Sequence, residues 1–191
     1  MTKSEEDREQ AADEALLLAI ASGDSRAFEV FLPRYLDRIH GYLLRLTGVA
    51  ADAEDLAQET FLRVWRKAGS FEPGRVKVST WLHTIAHNLA IDSFRKRRET
   101  LLEQLPEAAD ELADPARQFA SRETSALLEA ALAALPENQR AAVLLCQLQG
   151  FSNAEAAEVL GVGLRALESL LARARRSLKG ALTSNGEAAA S

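Results

Sequence analysis

Three stretches of this chain carry residue types at spacings that suit recognition of nucleic acid or of a basic partner. In "STWLHTIAHNLAIDSFRKRR", residues 79–98, hydroxyls, a tryptophan, two histidines, an amide and a run of cations follow one another. Aromatic faces stack on unpaired bases, polar groups hydrogen-bond base edges, and cations track a phosphate backbone. The candidates there are Ser79, Thr80, Trp81, His83, Thr84, His87, Asn88, Asp92, Arg95 and Lys96, with Arg75 and Lys77 just before them. In "LGVGLRALESLLARARRSLKGAL", residues 160–182, a glycine turn leads into a long helix-forming run whose outer face offers Arg165, Glu168, Ser169, Arg173 and Arg176. Arg and Lys contacts to phosphate supply most DNA affinity, and a carboxylate can accept from the cytosine amino group in the major groove. Ser152 and the free amides at the start of the preceding helix can hold a further phosphate. In "DAEDLAQETFLRVW", residues 52–65, Glu54, Asp55, Gln58 and Glu59 form an acidic, hydrogen-bonding edge beside Leu56 and Arg63. Such an edge suits a basic and apolar partner helix.

Each pattern has a plainer reading. Either basic cluster could be a solvated helix face. Glu168 could pair with a cation on its own helix, and the acids near residue 52 could favour the helix dipole, although Gln58 lies too far along for that. Trp81 fits a stacking platform or the core equally. His83 and His87, four apart, lack a third ligand and stand near Arg95, so hydrogen bonding or stacking on DNA is expected rather than zinc. Cys146, the one cysteine, sits in an apolar helix and reads as a small hydrophobe, and no disulfide within the chain is possible.

A formal net charge of −5 over 191 residues looks unlike a DNA-binding protein until its distribution is read. Acids gather in the N-terminal segment and between Glu99 and Glu123, while bases gather at residues 94–98 and 173–179. The apolar fraction of 47% can supply real cores. The acidic N-terminus does not read as a signal peptide, no run of about 18 apolar residues suggests a membrane span, and with a single cysteine a cytoplasmic location is expected. No combination of nucleophile, base and orienting group is visible, nor a phosphate loop or metal set. We therefore expect no enzyme activity, no cofactor and no small-molecule substrate.

The elements that must position these residues are all helical. Asp24 or Ser25 can cap a helix with Phe28, Phe31, Leu32, Tyr35, Ile39, Leu43 and Leu46 at helical spacing, ending near Gly48. Asp52 can cap the next, with Leu56, Phe61, Leu62, Val64 and Trp65 on its buried side and Gly69 at its end. Ser79 or Thr80 can cap a third, on which Trp81, Ile85, Leu89 and Phe94 share a stripe. Residues 99–122 lose periodicity and gain acids, Pro106 and Pro115, which reads as a flexible acidic linker. Beyond it Leu127, Leu128, Leu132 and Leu135 line a helix, Pro136 starts another that Gly150 ends, and Ser152 with Glu155 makes a capping box. Gly161, with small Ala157 four residues before it, fits a helix-turn-helix, and Leu164, Leu167, Leu171, Ala174 and Leu178 mark the inner face of its second helix. The expected fold is all-α, with two small helical domains at 24–98 and 123–180. An acidic segment at 1–23 precedes them, and a disordered tail at 181–191 follows.

The strings "DAEDLAQETFLRVWRKAGSFEP", "STWLHTIAHNLAIDSFRKRR", "LPENQRAAVLLCQLQGFSNAEAAEVLGV" and "LLARARRSL", in this order around an acidic linker, cover most of residues 24–180. Together they resemble the bacterial RNA polymerase sigma factors of the small, extracytoplasmic-function type. The resemblance implies that residues 52–67 dock on the coiled coil of the polymerase's largest subunit and that residues 80–98 help melt the −10 promoter element. It implies that the second domain reads the −35 element, and that an anti-sigma factor, often membrane-bound, restrains the protein. Two departures bear on this. Primary sigma factors have two adjacent tryptophans where this chain has Trp81 and Leu82, which implies weaker melting and stricter promoter choice. The family often has Gly-Thr-Val-Lys-Ser-Arg where residues 165–170 read Arg-Ala-Leu-Glu-Ser-Leu, so the −35 target should differ. A rival is a sigma mimic that sequesters an anti-sigma factor without binding promoter DNA. A lone helix-turn-helix repressor leaves the first domain unexplained.

Overall fold

In the computed structural model, residues 3–104 and 123–188 are described and contain helices but no strands. The helices are α1 (Lys3–Ala21), α2 (Ser25–Thr47), α3 (Ala50–Lys67), α4 (Val78–Gln104), α5 (Glu123–Ala133), α6 (Glu137–Val143), α7 (Asn153–Val159) and α8 (Leu164–Ala188). A 3₁₀ turn (Ala68–Ser70) follows α3, and a π-helical turn (Leu144–Leu148) extends α6.

The first bundle closes because α2 and α3 each put a continuous apolar stripe inward. On α2 it runs through Phe31, Tyr35, Ile39, Tyr42, Leu43 and Leu46, and Pro33 lies inside the helix. Asp24 caps α2 as expected, accepting from the amides of Arg26 and Ala27. Gly48 ends it at φ +74, a conformation glycine adopts without strain. Helix α3 starts earlier than the sequence suggests. Val49 precedes it without a side-chain cap, and Asp52 instead holds Arg97 of α4 in an ion pair.

The N-terminal segment is part of this bundle rather than a separate acidic piece. Leu17 and Ile20 of α1 are buried, and Asp13, itself buried, accepts from Arg34 and from the Tyr35 hydroxyl. Burial and the Asp13 carboxylate push the Tyr35 phenol far above its ordinary value, so it stays a donor.

In the second bundle Pro136 leads into α6, Ser152 and Glu155 form the full capping box on α7, and Gly161 turns at φ +63. Leu167, Leu171 and Ala174 of α8 face inward, but Leu164 is about half exposed because it begins the helix on the outer side. Leu128 of α5 is exposed for the same reason of phase. Helix α8 runs to Ala188, so the disordered tail expected from residue 181 gives way to helix, and residues 189–191 lie outside the described residues. Its Ala and Leu content supports helix, and Gly180 does not end it. Helix α4 likewise runs past residue 98 to Gln104; the remainder of the expected linker, residues 105–122, lies outside the described residues.

The two bundles pack against one another. Arg140 is the central tie: its guanidinium donates to Leu46 O of α2 (2.9 Å) and to Ala133 O (2.6 Å) and Leu135 O (3.1 Å) of its own domain. A buried guanidinium is tolerated when its planar fork meets several acceptors at once. Lys77 pairs with Glu155 at 2.8 Å, Arg38 donates to Gln149 O, and Arg98 pairs with Glu137.

Candidate nucleic-acid interface

Helix α4 is buried from two sides, and this decides which of its residues face solvent. Val78, Leu82, Ala86, Leu89 and Ala90 are buried, and so are Thr80, His83 and His87, His83 between Tyr42 of α2 and Phe151 of the second bundle and His87 against Tyr42. The His83 ring is fully buried, edge-on to Tyr42 (5.4 Å) and to Phe151 (4.8 Å), with Nδ1 2.8 Å from Ser79 O. His87 Nδ1 lies 2.9 Å from the Tyr42 hydroxyl. Burial lowers both histidines to a pKa of about 4, so both are neutral near pH 7. Thr80, His83 and His87, expected to contact DNA, are therefore core residues in this arrangement.

What remains outward on α4 is one stripe. Trp81, Thr84, Asn88, Asp92, Arg95 and Lys96 are half or fully exposed. Trp81 rests edge-on against Phe71 at 5.5 Å, which fixes the indole while leaving part of it open. It is thus a packing residue and an available aromatic face at once. Thr84 Oγ1 donates to Thr80 O, and Arg95 pairs with Asp92 at 3.0 Å. The loop before α4 brings exposed Arg75 and Lys77 to the same end, where half-buried Ser79 lies in the first turn of α4. Gly74 turns this loop at φ +76.

On α3, the acidic edge is present as expected for Glu54, Asp55 and Gln58, which are exposed, and for half-buried Glu59 and Arg63, which pair at 3.0 Å. Leu56 is not part of that edge. It points inward with Ala53, Thr60, Phe61 and Val64, because residues 53, 56, 57, 60, 61 and 64 share the inner face of the helix. Leu62 and Trp65, expected on the inner side, are 49% and 39% exposed, and Trp65 meets Phe28 of α2 edge-on at 5.5 Å. The apolar component beside the acidic edge is therefore Leu62 with Trp65, a pair the strict spacing of the outer face (54, 58, 62, 65) would have revealed.

On the second domain, Ser152, Arg165, Glu168, Arg173 and Arg176 are exposed, Ser169 is half-buried, and Leu170 packs against the core. The turn and recognition-type helix therefore present a solvent face of three arginines and one carboxylate. Glu155, which closes the capping box, also pairs with Lys77 of the first domain. Burial raises its carboxyl, but Lys77 and Ser152 outweigh that and hold it below the usual carboxylate range. Cys146 is half-buried, near Asn153, and burial raises its thiol against the opposing effect of Arg175. A thiol so placed is a poor nucleophile.

Residues 31–100 match sigma-70 region 2, and residues 125–178 match sigma-70 region 4. The chain is 37% identical over 166 residues to the ECF RNA polymerase sigma factor SigE of Mycolicibacterium smegmatis, a match covering 83% of this chain and 64% of that protein. It is 35% identical to the ECF sigma factor RpoE of Cereibacter sphaeroides (81% of this chain, 86% of that one) and 37% identical to SigM of Mycobacterium tuberculosis (90% and 85%). Among solved structures it is similar to CnrH in complex with the cytosolic domain of CnrY, with a TM-score of 0.68 at 28% identity, covering 91% of this chain and 98% of that chain. It is equally similar to the sigma factor RpoE in complex with the anti-sigma factor NepR from Bartonella quintana, with a TM-score of 0.68 at 29% identity, covering 82% and 96%.

Proposed function

The chain belongs to the ECF RNA polymerase sigma factors, and on that premise we propose that it binds core polymerase and directs initiation at promoters carrying matched −10 and −35 elements. The outer edge of α3, with Glu54, Asp55, Gln58 and Leu62, binds a basic coiled coil of the largest polymerase subunit. The stripe Trp81, Thr84, Asn88, Asp92, Arg95 and Lys96, with Arg75, Lys77 and Ser79, holds the unpaired −10 strand. Ser152 and the outer face of α8 bind −35 DNA. The role is recognition and strand opening; the polymerase supplies the chemistry.

The observation that carries this reading is the pairing, in one chain, of an open aromatic and polar stripe on α4 with a separate arginine face on α8. Strand opening requires a stacking surface with polar and cationic neighbours, and double-strand binding requires cations on a helix that fits the major groove. Two relatives of known structure are held by CnrY and by the anti-sigma factor NepR, which supports an anti-sigma partner for this chain as well. Reconstitution with core polymerase tests the reading. Expected are a stable complex and transcripts from promoters of a randomised library. Core binding or transcription absent at every promoter, together with tight capture of an anti-sigma factor, would favour the mimic.

A further inference from the structure

We propose that Gln10 and Glu14 of α1 are positioning residues for the loop that carries Arg75 and Lys77, and for the start of α4 with Ser79, at the −10 strand. The proposal rests on the reading of that loop given above. Residues 71–77 lack regular structure, contain Pro73 and Gly74, and end where α4 begins. The first amides of a helix need acceptors from outside it, and Lys77, the residue before α4, has no side-chain acceptor to offer.

The missing acceptor comes from α1. Gln10 Oε1 accepts from the amide of Val78 at 3.2 Å, and Glu14 Oε1 accepts from the amide of Gly74 at 3.2 Å. The two side chains are joined, since Gln10 Nε2 donates to Glu14 Oε1 at 2.7 Å. One pair of residues, four apart on a helix, thus grips both the left-handed hinge of the loop and its junction with α4. The second bond lies outside α4, so the pair does more than cap a helix. Its own footing is firm, because α1 is anchored by buried Leu17 and Ile20 and by the Asp13 contacts to Arg34 and Tyr35.

The physical effect is preorganisation. A short loop with a glycine hinge samples many conformations, and each costs DNA-binding free energy when the loop must be ordered on contact. Holding Gly74 and Val78 at once narrows the backbone positions open to Arg75 and Lys77 between them, while their side chains pair with Glu72 and with Glu155 of α7. Discrimination among −10 sequences then depends on α1, an element that touches none of the proposed DNA-facing residues by these bonds.

The test uses the full chain carrying Gln10→Ala, Glu14→Ala or Glu14→Gln. Amide exchange over residues 74–78 should rise by roughly three- to tenfold in the alanine variants, the range for losing one net hydrogen bond. Glu14→Gln, whose carbonyl oxygen still accepts, should stay near the wild type. With core polymerase, the alanine variants should flatten preference across a −10 library and lower open-complex yield, while core affinity holds and the melting temperature falls by no more than a few degrees. Unchanged loop exchange overturns the proposal. So does faster exchange with unaltered −10 preference, or a loss of core affinity equal to the loss of open complex. If the wild-type chain fails on every promoter, the sigma reading fails, and the exchange measurement still decides whether α1 braces the loop.

Discussion

The imidazole of His83 on α4 stands edge-on to the ring of Phe151 in the other domain, with centroids 4.8 Å apart. The contact joins the helix read as the −10 element to the segment just before the capping box of the helix-turn-helix. Phe151 is the apolar part of a seam that also contains Arg140, the Lys77–Glu155 pair and the Arg38 bond to Gln149.

Phe151→Ala should loosen this seam. Truncating a buried phenylalanine costs about 3–5 kcal/mol in general, and here part of that loss falls on the contact between domains. We expect a lower denaturation midpoint and a larger radius of gyration by small-angle scattering, with helicity retained. A smaller midpoint with unchanged dimensions would assign Phe151 to its own domain alone.

Acidification should weaken the fold through His83 and His87. Their folded pKa of about 4 lies below the ordinary value of 6.5, so between those limits the unfolded chain binds more protons than the folded one. Stability is therefore fully present above pH 6.5 and falls as pH drops toward 4, at about 1.4 kcal/mol per pH unit for each histidine. Arg38, near His83, opposes its protonation further. Urea midpoints measured from pH 7.5 to 4.5 test this, and His83→Phe with His87→Phe should flatten the slope.

Leu62→Asp and Leu56→Asp should behave oppositely. Leu62 is half exposed on the outer edge of α3, so a carboxylate there should abolish binding to core polymerase with little change in stability. Leu56 is inside, and a buried unpaired charge unfolds small domains. Thermal unfolding and core-binding titrations on both variants separate the two. A folded Leu62→Asp variant that binds core normally would remove Leu62 from the interface.

Glu168→Lys should change −35 preference without changing stability, since the side chain is exposed on the outer face of α8. A carboxylate accepts from cytosine, whereas lysine donates to guanine, so the base favoured beneath it should switch, with about 1–3 kcal/mol of discrimination in play. Selection from a −35 library reads this directly. The same base preference in both proteins would leave Glu168 as a surface residue.

Local chemistry was legible from the residues alone. Apolar spacing found α2, α3, α4, α5 and α8 but not α1, Asp24 and the Ser152–Glu155 pair marked two helix starts, and the Gly161 turn with its apolar neighbours marked the helix-turn-helix. These features depend on residues within a few positions of one another, so the order of side chains contains them. The string matches around an acidic linker carried the family for the same reason.

Phase against a distant partner was not legible. An apolar or polar stripe says that a helix has an inner side, but the width of that side depends on how many neighbours cover it. The buried side of α4 is wide: Thr80, His83 and His87, read in sequence as DNA contacts, are all buried, His87 against Tyr42 of α2 and His83 against both Tyr42 and Phe151 of the second domain. On α3 the packing against α2 and α4 turns Leu56 inward and leaves Leu62 and Trp65 outside. Asp52 offered a helix cap in sequence, yet Arg97, 45 residues away, claims it. The acidic N-terminal segment likewise stood outside the two expected domains, yet Gln10, Asp13 and Glu14 bond to Val78, Tyr35 and Gly74. Sequence determined which elements form and which chemistry they carry; tertiary packing decided which faces remain open, because burial and long-range hydrogen bonds are set by neighbours remote in the chain.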